Sequence, residues 1–306
     1  MTSDTDAHAT WLELRFCCDS ETADRIGDSL AECGALSVSF GDAEEDPVYE
    51  PAPGEAPLWS RTRVSGLFHG EEDAERLLGE LARRVAPDVL PAHQLERVRE
   101  RDWVRACQAD FQPACFGGCL WVVPSWAETP ATAAGQACLT LDPGVAFGTG
   151  SHATTALCLE WLAGEPLSGA SVVDYGCGSG ILALAAAKLG ARRVWAVDHD
   201  PQALEATRRN AERNDVHGSI HVHAPEELPA LTADVLISNI LAGPLMRMAE
   251  HLCGLLRPGG RMALSGVLTA QSPGVTDRFA PWCALERHAE REDWVLLSGR
   301  RGDGGS

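Results

Sequence analysis

Residues 171–214, SVVDYGCGSGILALAAAKLGARRVWAVDHDPQALEATRRNAERN, restrict the possible folds more than any other stretch of this 306-residue chain. An apolar run ends at Asp174; Gly176, Gly178 and Gly180 then follow at alternate positions. A helical segment closes at Gly190, and a second apolar run ends at Asp198. Strand, glycine turn, helix and strand in that order form a βαβ unit, whose strands must lie parallel. Asp200 is placed to cap the next helix and Pro201 suits its first turn. Further on, the pattern predicts strands at 219–223 and 234–238, a helix at 243–256, a strand at 260–266 and an antiparallel pair within 283–299. The expectation is an α/β fold with a Rossmann-like, doubly wound sheet.

Glycines at a helix N-terminus let backbone amides approach a ligand. Asp198, 22 residues after Gly176, stands where a carboxylate accepts hydrogen bonds from both hydroxyls of a ribose. An adenosine cofactor is implied. The third glycine comes one residue early for the dinucleotide pattern, and Asp174 would repel a pyrophosphate while attracting a methionine ammonium. S-adenosyl-L-methionine is therefore favoured over a nicotinamide dinucleotide, and a nicotinamide-dependent oxidoreductase is the rival of another class.

A second glycine-rich stretch, LDPGVAFGTGSHATT at 141–155, has no lysine after Gly150 and so is no triphosphate-binding loop. It reads as part lid and part floor of the cofactor site. Phe147 offers an aromatic face to adenine or the sulfonium, and Ser151, Thr154 and Thr155 offer hydroxyls and amides to the methionine carboxylate. His152 is a candidate catalytic base, with a loop-fixing hydrogen bond as its alternative role. Asn239 ends the apolar run DVLISN, at the carboxyl end of a strand where such sheets bind ligands. Its neutral amide can accept a hydrogen bond from an attacking amine and orient the lone pair, the plain alternative being a turn or cap residue.

The first hundred residues alternate as β-α-β-β-α-β, a small α+β, ferredoxin-like arrangement. The acidic, Pro-rich GDAEEDPVYEPAPGEAP reads as an exposed connection within it. Residues 101–110 read as a short joining helix, and CLWVVPSW and QACLTL as strands linked by a turn at 127–137. The expected division is 1–98 for a substrate-recognition domain, 99–113 for a linker helix and 114–301 for the cofactor domain. A net charge of −19 argues against a nucleic-acid footprint and suits a basic protein or cationic small molecule. No basic and apolar leader opens the chain and no apolar run reaches the ~18 residues of a membrane span, so a cytoplasmic protein is expected. Eleven cysteines, an odd count, read as reduced thiols. No metal site is expected: His217, His221 and His223 lack a completing ligand, and Cys115 and Cys119 lack a second pair.

LDPGVAFGTGSHATTALCLEWL, VVDYGCGSGILALAAAKLGA, AVDHDPQALEATRRNAERN, SNILAGPL and LRPGGRMALSGVL together resemble the PrmA family, the methyltransferases of large-subunit ribosomal protein 11. The resemblance covers about 98–300, and its Gly-Thr-Gly-x-His-x-Thr-Thr and Asn-Ile-Leu-Ala segments are specific to that family. It implies a seven-stranded class I methyltransferase domain behind a small substrate-recognition domain. It also implies trimethylation of the α-amine and lysine side chains of ribosomal protein 11, with Thr155, Gly176, Asp198 and Asn239 at cofactor positions. Ala153 replaces an expected proline, and the N-terminal part is only weakly similar. A monomer acting on this protein substrate, without nucleic acid or membrane, is expected, the alternative being a methyltransferase for another protein or small-molecule amine.

Overall fold

The computed structural model describes residues 10–43, 61–85, 90–99, 111–131, 136–142 and 152–302. They fall into two compact units that divide between Ala109 and Asp110. The joining helix expected at 101–110, most of the acidic connection and the loop at 143–151 lie outside the described residues.

The first unit is β1 (Thr10–Cys18), α1 (Ser20–Glu32), β2 (Ser37–Asp42), β3 (Thr62–His69), α2 (Ala74–Val85) and β4 (His93–Arg99). Its sheet runs β2-β3-β1-β4 with every pairing antiparallel, the ferredoxin-like order that the element sequence predicts. Alternation along β1 buries Leu12, Leu14 and Phe16 against Ile26 and Leu30 of α1 and Leu77 and Leu81 of α2. Asp19 caps α1 by accepting the Thr22 N–H at 2.8 Å.

The second unit opens with a small sheet of β5 (Ala114–Phe116), β6 (Leu120–Val123) and β7 (Ala137–Thr140). β6 and β7 pair in parallel, so the segment between them is a crossover and not the turn that its composition suggests. There follow α3 (Ala153–Gly164), β8 (Ser171–Tyr175), α4 (Ile181–Lys188), β9 (Arg193–Val197), α5 (Pro201–Arg213), β10 (Ile220–His223) and β11 (Ala233–Asn239). The chain ends in α6 (Ala242–Arg247), α7 (Ala249–Gly254), β12 (Leu256–Leu268), α8 (Ser272–Phe279), β13 (Cys283–Arg291) and β14 (Trp294–Arg301). The helix expected over 243–256 is two helices meeting at Met248, whose φ of −97° and ψ of 7° leave the helical region. α8 was hidden in the sequence by Pro273 and Gly274, although proline is well tolerated in a first turn.

The main sheet has the order β10-β9-β8-β11-β12-β14-β13, parallel except for β14. The chain builds outward from β8 to β10, then returns to place β11 on the other side of β8. The carboxyl ends of β8 and β11 therefore flank a topological switch point, where the crossover connections diverge and leave a crevice. Val173, Tyr175, Trp195 and Val197 face a core shared with α6, α7 and α8. Asp174, on the opposite side of β8, meets the first turn of α4. At the far end of the sheet Asp234 ties β11 to β8 by accepting the Ser171 N–H at 2.8 Å, and it also pairs with Arg257 at 2.7 Å. Those bonds hold its carboxyl down at about 2.

Gly266 lies at a bulge in β12 with φ +78°, and a Cβ there would stand 2.4 Å from the Ile240 carbonyl oxygen. Gly266→Ala combines a left-handed backbone penalty with an unrelievable backbone clash, so it should lower the unfolding free energy by about 2–4 kcal/mol, read by denaturant titration.

Candidate functional site

Gly176, Gly178 and Gly180 all adopt positive φ, at 83°, 54° and 81°. L side chains rarely take that region, and here they would also collide: a Cβ on Gly176 would lie 2.3 Å from Ile240 and one on Gly180 2.8 Å from Thr207. The turn carries the chain from β8 into α4 and forms one wall of a cavity of about 630 Å³. That volume falls in the range of small-molecule and cofactor sites.

The amides of the turn are directed inward, contrary to the expectation that they would face a ligand. Gly176 and Cys177 donate to the Val197 carbonyl at 2.7 and 3.0 Å, Gly178 to Asp198 at 2.9 Å and Gly180 to the Cys177 carbonyl at 2.8 Å. What Gly176 and Gly178 give the cavity is two positions of bare backbone within a wall that also includes Tyr175, Cys177, Ile181 and Leu182. Such a wall suits a cofactor that has no phosphate to bind, as S-adenosyl-L-methionine has none.

Asp198, at the end of β9, lines the cavity and is 9% exposed. One carboxylate oxygen accepts the Gly178 N–H and the other the Asp200 N–H at 3.0 Å. A carboxylate has about four acceptor positions, so room remains for hydroxyl donors, with His199 Nδ1 also 3.4 Å from Oδ1. Asn239 lines the opposite wall, at the end of β11. Its Nδ2 donates to the hydroxyl of Thr155 at 3.3 Å, which leaves Oδ1 as the end of the amide able to accept from a ligand. Thr155, Gly176, Gly178, Asp198 and Asn239 thus share one cavity, although they come from the start of α3 and the ends of β8, β9 and β11.

Other residues singled out in the sequence lie around this cavity without lining it. Asp174 is fully buried: Oδ2 accepts the Ala183 N–H at 2.9 Å, capping α4, where Gly180 has no side chain to do so, and Oδ1 has no partner among the described residues. His152 is the N-cap of α3, its Nδ1 2.8 Å from the Thr154 hydroxyl and its ring edge-on to Trp294 at 5.4 Å. Thr154 is 2% exposed. Gly180 is the N-cap of α4, wedged against Thr207. Phe147 lies outside the described residues.

Tyr175, His199, Pro225, Pro244, Arg247 and Met248 also line the cavity and were missed in the sequence. The one available signal was position: His199 follows Asp198, and Pro225 follows β10 just after its carboxyl end. Among the described residues no group of three His, Cys, Asp or Glu side chains could hold a metal. No described helix is long and apolar enough to cross a membrane. The described cysteines are free thiols, and burial drives Cys158 and Cys177 far above the usual thiol range.

A seven-stranded sheet with a reversed last strand, whose switch-point cavity is lined by a glycine turn and a carboxylate, is the framework of an S-adenosyl-L-methionine-dependent class I methyltransferase. Residues 10–302 match the family model described as ribosomal protein L11 methyltransferase (PrmA). The chain belongs to that family. It is 50% identical over 292 residues to the ribosomal protein L11 methyltransferase of Pseudomonas aeruginosa, covering 95% of this chain and 98% of that protein. It is 48% identical over 298 residues to the one from Marinobacter nauticus, covering 96% and 99%. A crystal structure of the ribosomal protein L11 methylase of Lactobacillus delbrueckii subsp. bulgaricus superposes with a TM-score of 0.56 at 29% identity, over 63% of this chain and 100% of that one.

Burial raises the Asp174 carboxyl from 3.8 to about 7; the Ala183 N–H acts against this and the Asp198 charge adds to it. The folded chain therefore holds this proton more tightly than the unfolded chain. Stability from this group is full below about 4 and is lost as pH rises through about 7. Asp174→Asn, which keeps the cap and removes the charge, should flatten the fall in unfolding free energy across that window; an unchanged slope would clear Asp174 of the effect.

Proposed function

We propose that this chain transfers methyl groups from S-adenosyl-L-methionine to amino groups of ribosomal protein L11, its α-amine and lysine side chains. The observation that carries the substrate is likeness along nearly the whole chain to enzymes named for that protein, first unit included. The observation that carries the chemistry is the Asn239–Thr155 pair at the switch point.

When bound, the cofactor supplies a methyl group on a positively charged sulfur, which leaves as a neutral thioether once an amine lone pair attacks the carbon. Asp198 holds the ribose through the acceptor positions that its two backbone partners leave open. Thr155 fixes the Asn239 amide, so that Oδ1 accepts an N–H of the acceptor amine and turns its lone pair toward the methyl carbon. No carboxylate is needed at that point, since a charged acceptor would hold the amine as ammonium and block attack. The methylated amine releases its surplus proton before the next transfer. His152 acts here by capping α3 and setting Thr154 and Thr155, and Asp174 acts from beneath the turn by capping α4. From its place in the sequence, Phe147 supplies an aromatic face to the same ligand. The protein works as a monomer in the cytoplasm, where ribosomal proteins are made.

Mass spectrometry of L11 after incubation with this protein and S-adenosyl-L-methionine should show gains in steps of one methyl group, confined to amines. No gain with cofactor binding intact would move the acceptor to another protein or small-molecule amine. Asn239→Ala should lower kcat by about 10²-fold while changing cofactor affinity only a few-fold. Parallel loss of both would remove its orienting role.

A further inference from the structure

The turn of three left-handed glycines has one short-range hydrogen bond of its own, from Gly180 N–H to the Cys177 carbonyl at 2.8 Å, and further bonds hold its shape from outside. Its amides are held by Val197 and Asp198 at the end of β9. Its carbonyls are held by α5: the Thr207 hydroxyl donates to Gly178 O at 3.1 Å and Asn210 Nδ2 to Ser179 O at 2.9 Å. The two donors are three residues apart, on one helix face. Thr207 is fully buried, its hydroxyl 3.4 Å from the Cys177 sulfur, and it fills the space that a Cβ on Gly180 would need. Asn214, one turn further, pairs with Thr140 through both its amide ends, accepting that N–H at 2.7 Å and donating to that carbonyl at 2.8 Å. Beside it, Arg213 pairs with Asp142 at 2.5 Å. One face of α5 thus anchors the helix to β7 at one end and grips the cofactor turn at the other.

We propose that Thr207 and Asn210 are positioning residues for S-adenosyl-L-methionine, acting through the Gly178 and Ser179 carbonyls to hold the turn in the shape that the cofactor meets. Neither side chain lines the cavity. The proposal rests on reading that cavity as the cofactor site. It follows from the way the turn is held: Asp198 grips the Gly178 amide while the helix that Asp198 leads into grips the next carbonyls. A ribose-binding carboxylate and a glycine-lined wall that must fit one ligand together are therefore set by a single rigid piece, β9 with α5. Removing a donor leaves a part-buried carbonyl without that partner and frees the turn to shift against Asp198.

The test is calorimetric titration of the full chain with S-adenosyl-L-methionine, together with steady-state kinetics and thermal unfolding, for Thr207→Val, Thr207→Ser, Asn210→Ala and, as the reference for the cavity, Asp198→Asn. Thr207→Val and Asn210→Ala should each weaken cofactor binding about tenfold and raise its KM to match, with kcat at saturating cofactor and the KM for L11 within about twofold. Thr207→Ser, which keeps the hydroxyl, should bind nearly as the unaltered protein does. Should Thr207→Val fail to fold, half-buried Asn210 carries the test. Lowered melting temperatures with unchanged cofactor affinity would overturn the proposal, leaving a bracing role only. If Asp198→Asn also binds unchanged, the cofactor lies elsewhere and the reading of the cavity falls with it.

Discussion

The site depends on how closely Ile240 approaches its neighbours. Its side chain occupies the place of a Cβ on Gly176, and its carbonyl that of a Cβ on Gly266. One residue thereby brings the ends of β8, β11 and β12 nearer than any side chain at 176 or 266 would permit. Asn239 precedes it and takes its position at the cavity wall from the same turn. The buried Ser238 hydroxyl adds a tie, donating to the Tyr175 carbonyl at 2.6 Å. The crevice of a doubly wound sheet is general; its narrowing here to a slot with Asn239 on one side and bare glycine backbone on the other comes from Ile240.

This accounts for the parts of the protein that the sequence made legible. Apolar runs ending in Asp198 and Asn239 mark strand ends at the cavity, because parallel strands buried on both faces read as near-continuous Val, Ile and Leu, while the run before Asp174 stops one residue short of the end of β8 at a fully buried carboxyl. The β-α-β-β-α-β order of the first unit is equally direct, since each period changes cleanly between two and 3.6 residues. The misreadings have different causes. Pro273 and Gly274 look like a break yet open α8, and three residues, Ala114–Phe116, are too few to show strand alternation. The parallel pairing of β6 with β7 depends on contacts distant in sequence. Thr207, Asn210 and Asn214 look like the solvent side of an ordinary amphipathic helix, and only the fold reveals that they serve as hydrogen-bond partners for the backbone of other segments.

The electrostatics of the site show why the glycine turn was only half legible. Glycines before a helix suggest an anion held by free amides, yet four of these amides bond within the protein. The α4 N-terminus is itself capped by the Asp174 carboxylate at Ala183. A phosphate would meet a helix end already matched with an acid, beside a second acid in Asp198. The carboxylate that lines the cavity is that of Asp198, and a negative charge there disfavours a pyrophosphate and favours a cationic ligand. Asp174 does not line the cavity: it lies beneath the wall, where it caps α4.

The last link is α3, which precedes the first strand of the sheet and could have been incidental to it. His152 accepts at the N-terminus of α3 through the Nδ1 that also faces the Thr154 hydroxyl, so the imidazole sets where the helix begins. That start brings Thr155 to Asn239 across 84 positions of sequence, where the Thr155 hydroxyl accepts from Asn239 Nδ2 at 3.3 Å. An amide fixed with its oxygen inward accepts hydrogen bonds from an amine, whereas the opposite orientation would present N–H groups to N–H groups. A histidine at a helix cap and a threonine three residues later thus bear on the placement of Asn239 at the cavity wall through the helix that they begin.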